Sequence, residues 1–418
     1  MKILVIGGGG RCHAIIESLS RSKKVKKIYS APGNAGIART AECVPIPVSD
    51  IEALLQFAKD RKIDLTIVGP EASLALGITD RFREEGLRIF GPTKEAARIE
   101  SSKDYAKGLM ARHNVPTARY RTFDDYDEAL TFVKSQPLPI VIKYDGLAAG
   151  KGVVVALTEK EAVEALKDML LDDVFGKGKV VIEEFLNGPE FSFMCLVNGT
   201  KIYPLDIARD HKRAYDNDFG PNTGGMGAYS PVSFVTPEIR QKALDTIIRP
   251  VVEGMAEEGN PFTGVLYAGL VLHKGEPKVI EFNARFGDPE TEVLLPRLKS
   301  DFYEFVDAVI EGRDFEPKWK KEAVLGVVMA AKGYPGKYEK GHEIKGIDSV
   351  AGEKDTRVYH MGTVIRDGKY LSSGGRVLMV VGEGETIHEA ARRAYEGVSR
   401  IDCRSLFNRN DIGATEMH

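Results

Sequence analysis

Lys278-Val-Ile-Glu-Phe-Asn-Ala-Arg-Phe-Gly-Asp-Pro-Glu-Thr291 begins as a strand and ends as a turn. Val279, Ile280 and Phe282 supply its apolar positions, and Gly287 and Pro289 break it. Side chains alternate across a strand, so Glu281 and Asn283 share a face, about 7 Å apart along the chain. Arg285 follows on the same side. Two hard oxygen donors with few protein neighbours suit Mg²⁺, which keeps its water and bridges phosphates. A carboxylate, an amide and a guanidinium at a strand mouth describe a metal–triphosphate site. The plainer alternative is an edge strand with a solvated polar face. The rest of the chain decides between them.

The 418 residues suggest about three domains. Lys+Arg total 58 and Asp+Glu 61, a net charge of −3, which argues against a general nucleic-acid binder. Cys12, Cys43, Cys195 and Cys403 are scattered without a CxxC pair, so neither a disulfide framework nor a structural zinc is expected. The opening Met-Lys-Ile-Leu-Val-Ile-Gly run is a strand entering a glycine turn, too short for a signal-peptide core. No apolar run approaches membrane-spanning length. These features predict a cytoplasmic protein without nucleic-acid or membrane partners.

Strands at Ile3–Ile6, Val25–Tyr29, Leu65–Val68 and Leu87–Phe90 alternate with helices, one of them Asp50–Lys59. That order predicts a doubly wound parallel sheet over 1–100, a Rossmann-like substrate domain. It is not a dinucleotide site. The third fingerprint glycine is replaced by Cys12 or His13, and the acidic residue after the second strand by Ala31 or Pro32. Gly9, Gly10 and Arg11 at a helix start still favour an anion. With Asn34, Gly36 and Glu71 they lie at the C-terminal ends of strands, where open sheets hold ligands. Glu71 suits sugar hydroxyls; tight turns alone are the alternative for the glycines.

From 101 the pattern changes. A helix over Ser102–Arg112 carries Lys103. Strand Ile140–Lys143 ends in Lys143, and the loop to Gly152 contains Gly150 and Lys151, followed by strand Val153–Ala156. Such a hairpin can cradle phosphates. After helix Glu159–Leu171, strand Lys179–Glu184 runs into Glu183-Glu184-Phe185-Leu186, a backbone edge able to read adenine. Glu190 follows for ribose hydroxyls. The alternative for Glu183 and Glu184 is an exposed polar strand end. Asp210-His-Lys212-Arg213 precedes the Gly220–Pro231 run, expected to be a functional loop. Helix Glu238–Glu258 and strand Gly264–Leu272 lead back to the opening stretch.

Lys103, Lys143, the glycine loop, Glu183–Leu186 and Glu281-x-Asn283 in that order resemble an ATP-grasp enzyme. Asp210-His-Lys-Arg213, Gly220-Pro-Asn-Thr-Gly-Gly-Met-Gly227 and Asn283–Thr291 narrow the resemblance to the phosphoribosylamine–glycine ligase (glycinamide ribonucleotide synthetase) family. Gly10-Arg11, Pro32–Gly36, Gly69-Pro-Glu71, Phe407 and Asp411-Ile-Gly413 also match, so the similarity covers the whole chain. It implies an ATP-grasp core of two α+β subdomains over 101–314, with a lid at about 119–182, and a small C-terminal α+β lobe over 315–418. It also implies ATP-dependent joining of glycine to 5-phosphoribosylamine through glycyl phosphate, in purine biosynthesis. Glu281 and Asn283 would hold Mg²⁺ or Mn²⁺. Lys103, Lys143, Gly150, Lys151, Gly152, Glu183, Glu184, Phe185, Leu186 and Glu190 would surround ATP. Gly9, Gly10, Arg11, Asn34, Gly36, Glu71, Asn222, Thr223, Gly224, Gly225 and Asp288 would contact the substrates. Arg285, Lys212 and Asp210 would be catalytic, and a monomer is expected. Another ATP-grasp carboxylate–amine ligase or carboxylase, or a non-catalytic ATP binder, is the alternative.

Three departures stand out. Cys12 replaces the family's usual glutamate and is expected to be a neutral packing residue; Asn408 replaces an aromatic. Strand Gly264–Leu272 lacks the acidic metal ligand that many ATP-grasp relatives carry there. In the C-terminal region, Val324–Ala330 and Val377–Val381 read as strands. Ile365–Tyr370 reads as a hairpin around Asp-Gly, and Ile387–Ile401 as an amphipathic helix. His360, Gly362, Thr363 and Ser373–Arg376 either reach the active site or merely form turns and a surface arginine.

Overall fold

The computed structural model describes residues 1–148 and 152–416. Five parallel strands form the N-terminal sheet in the order Glu42–Cys43, Lys27–Pro32, Lys2–Gly7, Leu65–Val68, Ile89–Phe90. Apolar strands buried on both faces require covering helices. Helix Gly10–Ser20 supplies one cover by burying Ala14, Ile15, Ile16 and Leu19 completely. Asp50 caps helix Ile51–Arg61 by accepting from the Ala53 N–H. The second strand lies two to three residues later than its apolar pattern predicts. Pairing with Lys2–Gly7 continues as far as Gly7 opposite Pro32, and proline at a strand terminus costs no ladder bond.

The centre is a nine-stranded sheet. Its main path runs Glu276–Asn283, Thr263–His273, Glu190–Asn198, Lys201–Asp210, Gly227–Ser230, Ala323–Ala331, Arg376–Gly384, Thr356–His360. Leu406–Phe407 pairs off this path with Ala323–Ala331. Gly227–Ser230 falls within the run expected to be a loop. It becomes a strand because both its partners are remote in sequence, Arg209–Asp210 on one side and Val324–Val327 on the other. A Cβ on Gly227 would lie 2.7 Å from the Gly326 carbonyl oxygen, so only glycine fits between them. Phe219–Asn222, from the same run, pairs with Arg213–Tyr215 as a small hairpin.

A four-stranded lid sheet follows the order Tyr120–Phe123, Val180–Glu184, Ile140–Tyr144, Val153–Ala156. It has its own core, including Phe123, Ile142, Leu166 and Ile182. The Ile365–Tyr370 hairpin is present, with Asp367 and Gly368 at φ 52° and 72°, the two left-handed residues of a type I′ turn. The expected helix over Glu238–Glu258 contains a π-helical turn at Leu244–Ile248, just before Pro250. Proline lacks the N–H that a regular ladder needs there.

The C-terminal lobe seats directly on helix Gly10–Ser20. The His360 N–H donates to His13 Nδ1 at 2.9 Å, and Arg357 lies 3.3 Å from Glu17. Burial pushes His13 down to about 4, and His360 and His211 to about 3, from an ordinary 6.5. Between those values and 6.5 the unfolded chain binds more protons than the folded one. Stability is therefore expected to fall as pH drops through this window. Denaturant unfolding near pH 7 and near pH 5 should show the loss, and His360→Asn should reduce it.

Candidate functional site

The crevice lies where the C-terminal ends of the parallel strands meet the edge of the nine-stranded sheet. In the antiparallel pair at that edge, Glu281 stands opposite Gly269, and Asn283 opposite Tyr267. The position beside Glu281 on the neighbouring strand is thus a glycine, which accounts physically for the missing acidic ligand. Burial opposes ionisation of Glu281, but Lys212, Lys143, Lys103 and Arg285 outweigh it and hold its carboxyl below the ordinary range. Asn283 Oδ1 accepts from Arg285 Nη2 at 3.3 Å.

Lys103 opens helix Lys103–Arg112, whose cap is Ser102. Asp145, from the lid hairpin, accepts from the Lys103 N–H at 2.5 Å. Lys143 is buried, with Nζ 3.1 Å from Glu183 Oε1 and 2.8 Å from the Ile280 carbonyl. Lys107, which the sequence reading passed over, lies 3.0 Å from Glu183 Oε2 and donates to Thr117 Oγ1. Burial pushes Lys107 down to about 8 despite the neighbouring Glu183. Glu183 is only 4% exposed. Its side chain is not an exposed strand end but the shared counterion of two buried lysines.

Glu184 instead turns to Arg119, accepting from its N–H and its Nε. Phe185 is exposed and Leu186 half-buried. Gly152 packs against Tyr144, and its carbonyl accepts from the Tyr144 N–H. Gly150 and Lys151 lie outside the described residues. Glu190 meets Lys212 at 3.2 Å. Burial raises Asp210 to about 7, Lys212 opposing and Glu290, Glu190 and Glu281 adding to the rise.

Around the N-terminal turn, the helix start faces a protein carboxylate. The Arg11 N–H donates to Asp288 Oδ2 at 3.3 Å, and Arg11 Nη1 donates to the Phe286 carbonyl at 2.8 Å. Gly9 packs toward Asp288, and Gly10 against Glu292 and Met361. Asn34, expected on a substrate, has its amide fully engaged within the fold. It donates to the Gly8 and His360 carbonyls and accepts from the Gly36 and Ile37 N–H groups. Gly36 gives room to His13 and His360. Cys12 is buried beneath Gly7 and Gly69, its thiol pushed up to about 11 by burial. Burial opposes ionisation of Glu71, but Arg285 and Arg11 bring it down to about 2.

Arg285 is anchored rather than free, 3.3 Å from Glu71 and 3.1 Å from Glu100. Glu100, a residue without a sequence signal, also accepts from the Ala284 N–H. Arg376 lies 2.9 Å from Asp288 and donates to the Gly224 carbonyl, clamping the glycine-rich turn over the crevice. Thr223 Oγ1 donates to the Lys212 carbonyl, the Gly224 N–H donates to the Tyr334 hydroxyl, and the Gly225 N–H donates to Thr223 Oγ1. Asn222 is half-buried, paired with Arg213. Glu290 Oε1 accepts from Tyr267 Oη and from Ser192 Oγ in a buried cluster. Glu290 sits inside the opening motif, where its spacing gave no reason to single it out.

Family models match nearly all of the chain. The phosphoribosylglycinamide synthetase N domain matches residues 1–100, the ATP-grasp (A) domain 101–291 and the C domain 324–415. A phosphoribosylamine–glycine ligase of Halalkalibacterium halodurans is 51% identical over 416 residues, covering 99% of this chain and 97% of that one. One from Escherichia coli O6:H1 is 51% identical over 423 residues, covering 99% and 98%. A solved phosphoribosylamine–glycine ligase of Thermotoga maritima superposes with a TM-score of 0.86 at 35% identity, covering 99% of this chain and all of that one. A Campylobacter jejuni biotin carboxylase has a TM-score of 0.76 at 15% identity over 97% and 92%, a likeness of fold alone.

Removing the shared counterion tests the buried lysine pair. Glu183→Gln is expected to lower stability by about 3 kcal/mol, since two buried ammoniums lose their compensating charge. Urea unfolding measures this; a change under about 0.5 kcal/mol would contradict the arrangement.

Proposed function

Because the chain belongs to the phosphoribosylglycinamide synthetase family, we propose that it joins glycine to 5-phosphoribosylamine at the expense of ATP. The products are glycinamide ribonucleotide, ADP and phosphate, a step of purine biosynthesis. The observation that carries this reading is the convergence of Lys103, Lys143, Lys212 and Arg285 on Glu281. Such a field suits a triphosphate and its metal.

A carboxylate is a poor electrophile because oxide would have to leave. Transfer of the γ-phosphoryl group to glycine gives glycyl phosphate, from which phosphate leaves when the amine attacks. Glu281 and Asn283 are hard oxygen donors on one strand face and fit a divalent cation. We assign Mg²⁺, with Mn²⁺ as substitute, to them; bound there, it would neutralise charge on the β- and γ-phosphates. Lys143 and Lys103 hold phosphate oxygens, and the lid hairpin through Gly152 excludes water. Arg285, fixed by Glu71 and Glu100, offers preorganised positive charge to the developing acyl phosphate.

Glu183 enters as the residue that positions Lys143, and Glu184–Leu186 and Glu190 border the nucleoside. Arg11, Glu71 and Asp288, with the turns at Gly9, Gly10 and Gly36, form the acceptor side. Residues 222–225 close over glycine. Asp210, titrating near neutrality, takes the amine proton. Domains of 1–100, 101–314 and 315–418 divide these tasks, in a cytoplasmic monomer without nucleic-acid partners.

ADP release is measured with glycine and with phosphoribosylamine generated from ribose 5-phosphate and ammonia, omitting each in turn. Release is expected only when both are present; release without glycine, or none at all, would overturn the reading. Glu281→Gln is expected to abolish release while leaving the unfolding transition in place. Amide formation should rise with pH through about 7 as Asp210 loses its proton, and Asp210→Asn should flatten that limb.

A further inference from the structure

Arg409-Asn410-Asp411 stands near the C-terminus and has no part in the chemistry proposed above. Yet Arg409 is only 1% exposed and is among the largest side chains that the fold buries. A guanidinium leaves water at little cost only where its donors find acceptors. Its Nε and Nη2 donate to the two oxygens of Asp411, both at 2.7 Å. Its Nη1 donates to Asp218 Oδ1 at 2.8 Å and to the Arg213 carbonyl at 3.1 Å.

Arg213 and Asp218 belong to the small hairpin of strands Arg213–Tyr215 and Phe219–Asn222. A two-stranded hairpin is marginal by itself, and this one leaves Tyr215 51% and Phe219 70% exposed. At its tip Asn217 and Asp218 are both left-handed, at φ 58° and 57°. Such backbone persists where its surroundings impose it. Here the surroundings are the Arg409–Asp411 string. The Asn217 N–H donates to Asp411 Oδ2 at 2.8 Å. Asp216 accepts from the Asn410 N–H at 2.7 Å and from Asn410 Nδ2 at 3.0 Å. The string is held in turn by helix Ile387–Ser399, whose Tyr395 hydroxyl donates to the Arg409 carbonyl and accepts from the Ile412 N–H, both at 3.0 Å.

At its root the hairpin opens into the crevice. Thr223 donates to the Lys212 carbonyl through its N–H and through its Oγ1, each at 2.8 Å. Lys212 is one of the ammoniums that act on Glu281. The Arg213 carbonyl that Arg409 holds lies one residue from Lys212. The guanidinium therefore fixes the backbone beside a crevice cation, although its own side chain lies behind the hairpin and outside the site. Arg376 and Tyr334 hold the turn that follows, at Gly224. The hairpin is pinned at both ends, and the outer pin is Arg409.

We propose that Arg409 is a positioning residue. Through Asp218 and the Arg213 carbonyl it fixes the hairpin that carries Lys212 and Thr223, and so sets the affinity for glycine without touching it. This rests on the ligase reading above, in which residues 222–225 close over glycine.

The test compares wild type, Arg409→Met and Arg409→Lys by two readouts. The first is chymotrypsin cleavage after Tyr215 and Phe219 under native conditions, followed by mass spectrometry. The second is steady-state ADP release, giving KM for glycine and KM for ATP. Arg409→Met is expected to be cut at the hairpin about ten-fold faster and to raise KM for glycine about ten-fold, with KM for ATP within about two-fold. Arg409→Lys keeps the charge but not the fork and should fall between the two. Unchanged cleavage, an unchanged KM for glycine, or an equal rise in both KM values overturns the inference while leaving the ligase intact. Absence of glycine-dependent release in wild type overturns the ligase reading itself. Should Arg409→Met fail to fold, Asp218→Ala removes one partner of the guanidinium from an exposed tip, and KM for glycine should rise about three-fold. An unchanged KM there likewise overturns the inference.

Discussion

Arg285 lies between two carboxylates that come from different parts of the chain. Glu71 stands at the end of a strand of the N-terminal sheet, and Glu100 precedes the helix that carries Lys103. Glu100 is nearly buried and needs the guanidinium as its partner; Glu71 is more exposed but is held well below the ordinary carboxylate range by Arg285 and Arg11. The three groups fix the end of the Glu276–Asn283 strand against the N-terminal sheet, and Glu100 reinforces this by accepting the Ala284 N–H. The crevice has its width because this contact sets the distance between its walls.

A second arrangement of the same kind lies between the lid sheet and the Lys103–Arg112 helix. Two ammoniums share the Glu183 carboxylate, so the cluster keeps one net positive charge where phosphates are expected. A single lysine paired with a single acid would present none. Asp288 joins Arg11 of the first helix to Arg376 of the C-terminal strands. Through Arg11 and Glu71, 3.6 Å apart, this group continues into the one around Arg285, so the charges of that wall form one connected network.

Much of this was legible in the sequence because the chemistry is carried by local strings. Glu281-x-Asn283 needs only strand alternation to place its two oxygens, and the Asp367-Gly368 turn needs only its two residues. What escaped was decided by partners far away in the chain. The Gly227–Ser230 strand has no alternation of its own and exists because Arg209–Asp210 and Val324–Val327 flank it. Lys107 and Glu100 sit on helices where any charged residue is unremarkable until the neighbouring wall is known. Asn34 misled in the opposite direction: at a strand end it looks like a ligand contact, but four internal hydrogen bonds exhaust its amide. Tyr267, Ser192 and Glu290 are adjacent only through sheet register, which a single sequence does not reveal.

The nine-stranded sheet has a mechanical consequence. Its hydrogen-bonded ladder passes without interruption from the crevice edge into the C-terminal strands, so those parts cannot hinge apart without tearing backbone bonds. Among the described residues the lid sheet has no such ladder to the rest. It is fastened by Lys143 to the Ile280 carbonyl, by Glu183 to Lys107 and by Asp145 to the start of the Lys103 helix. Two of these fasteners, Lys143 and Glu183, also bond to each other. The seating of the lid sheet and the charge balance of the buried lysines are thus two readings of a single set of bonds.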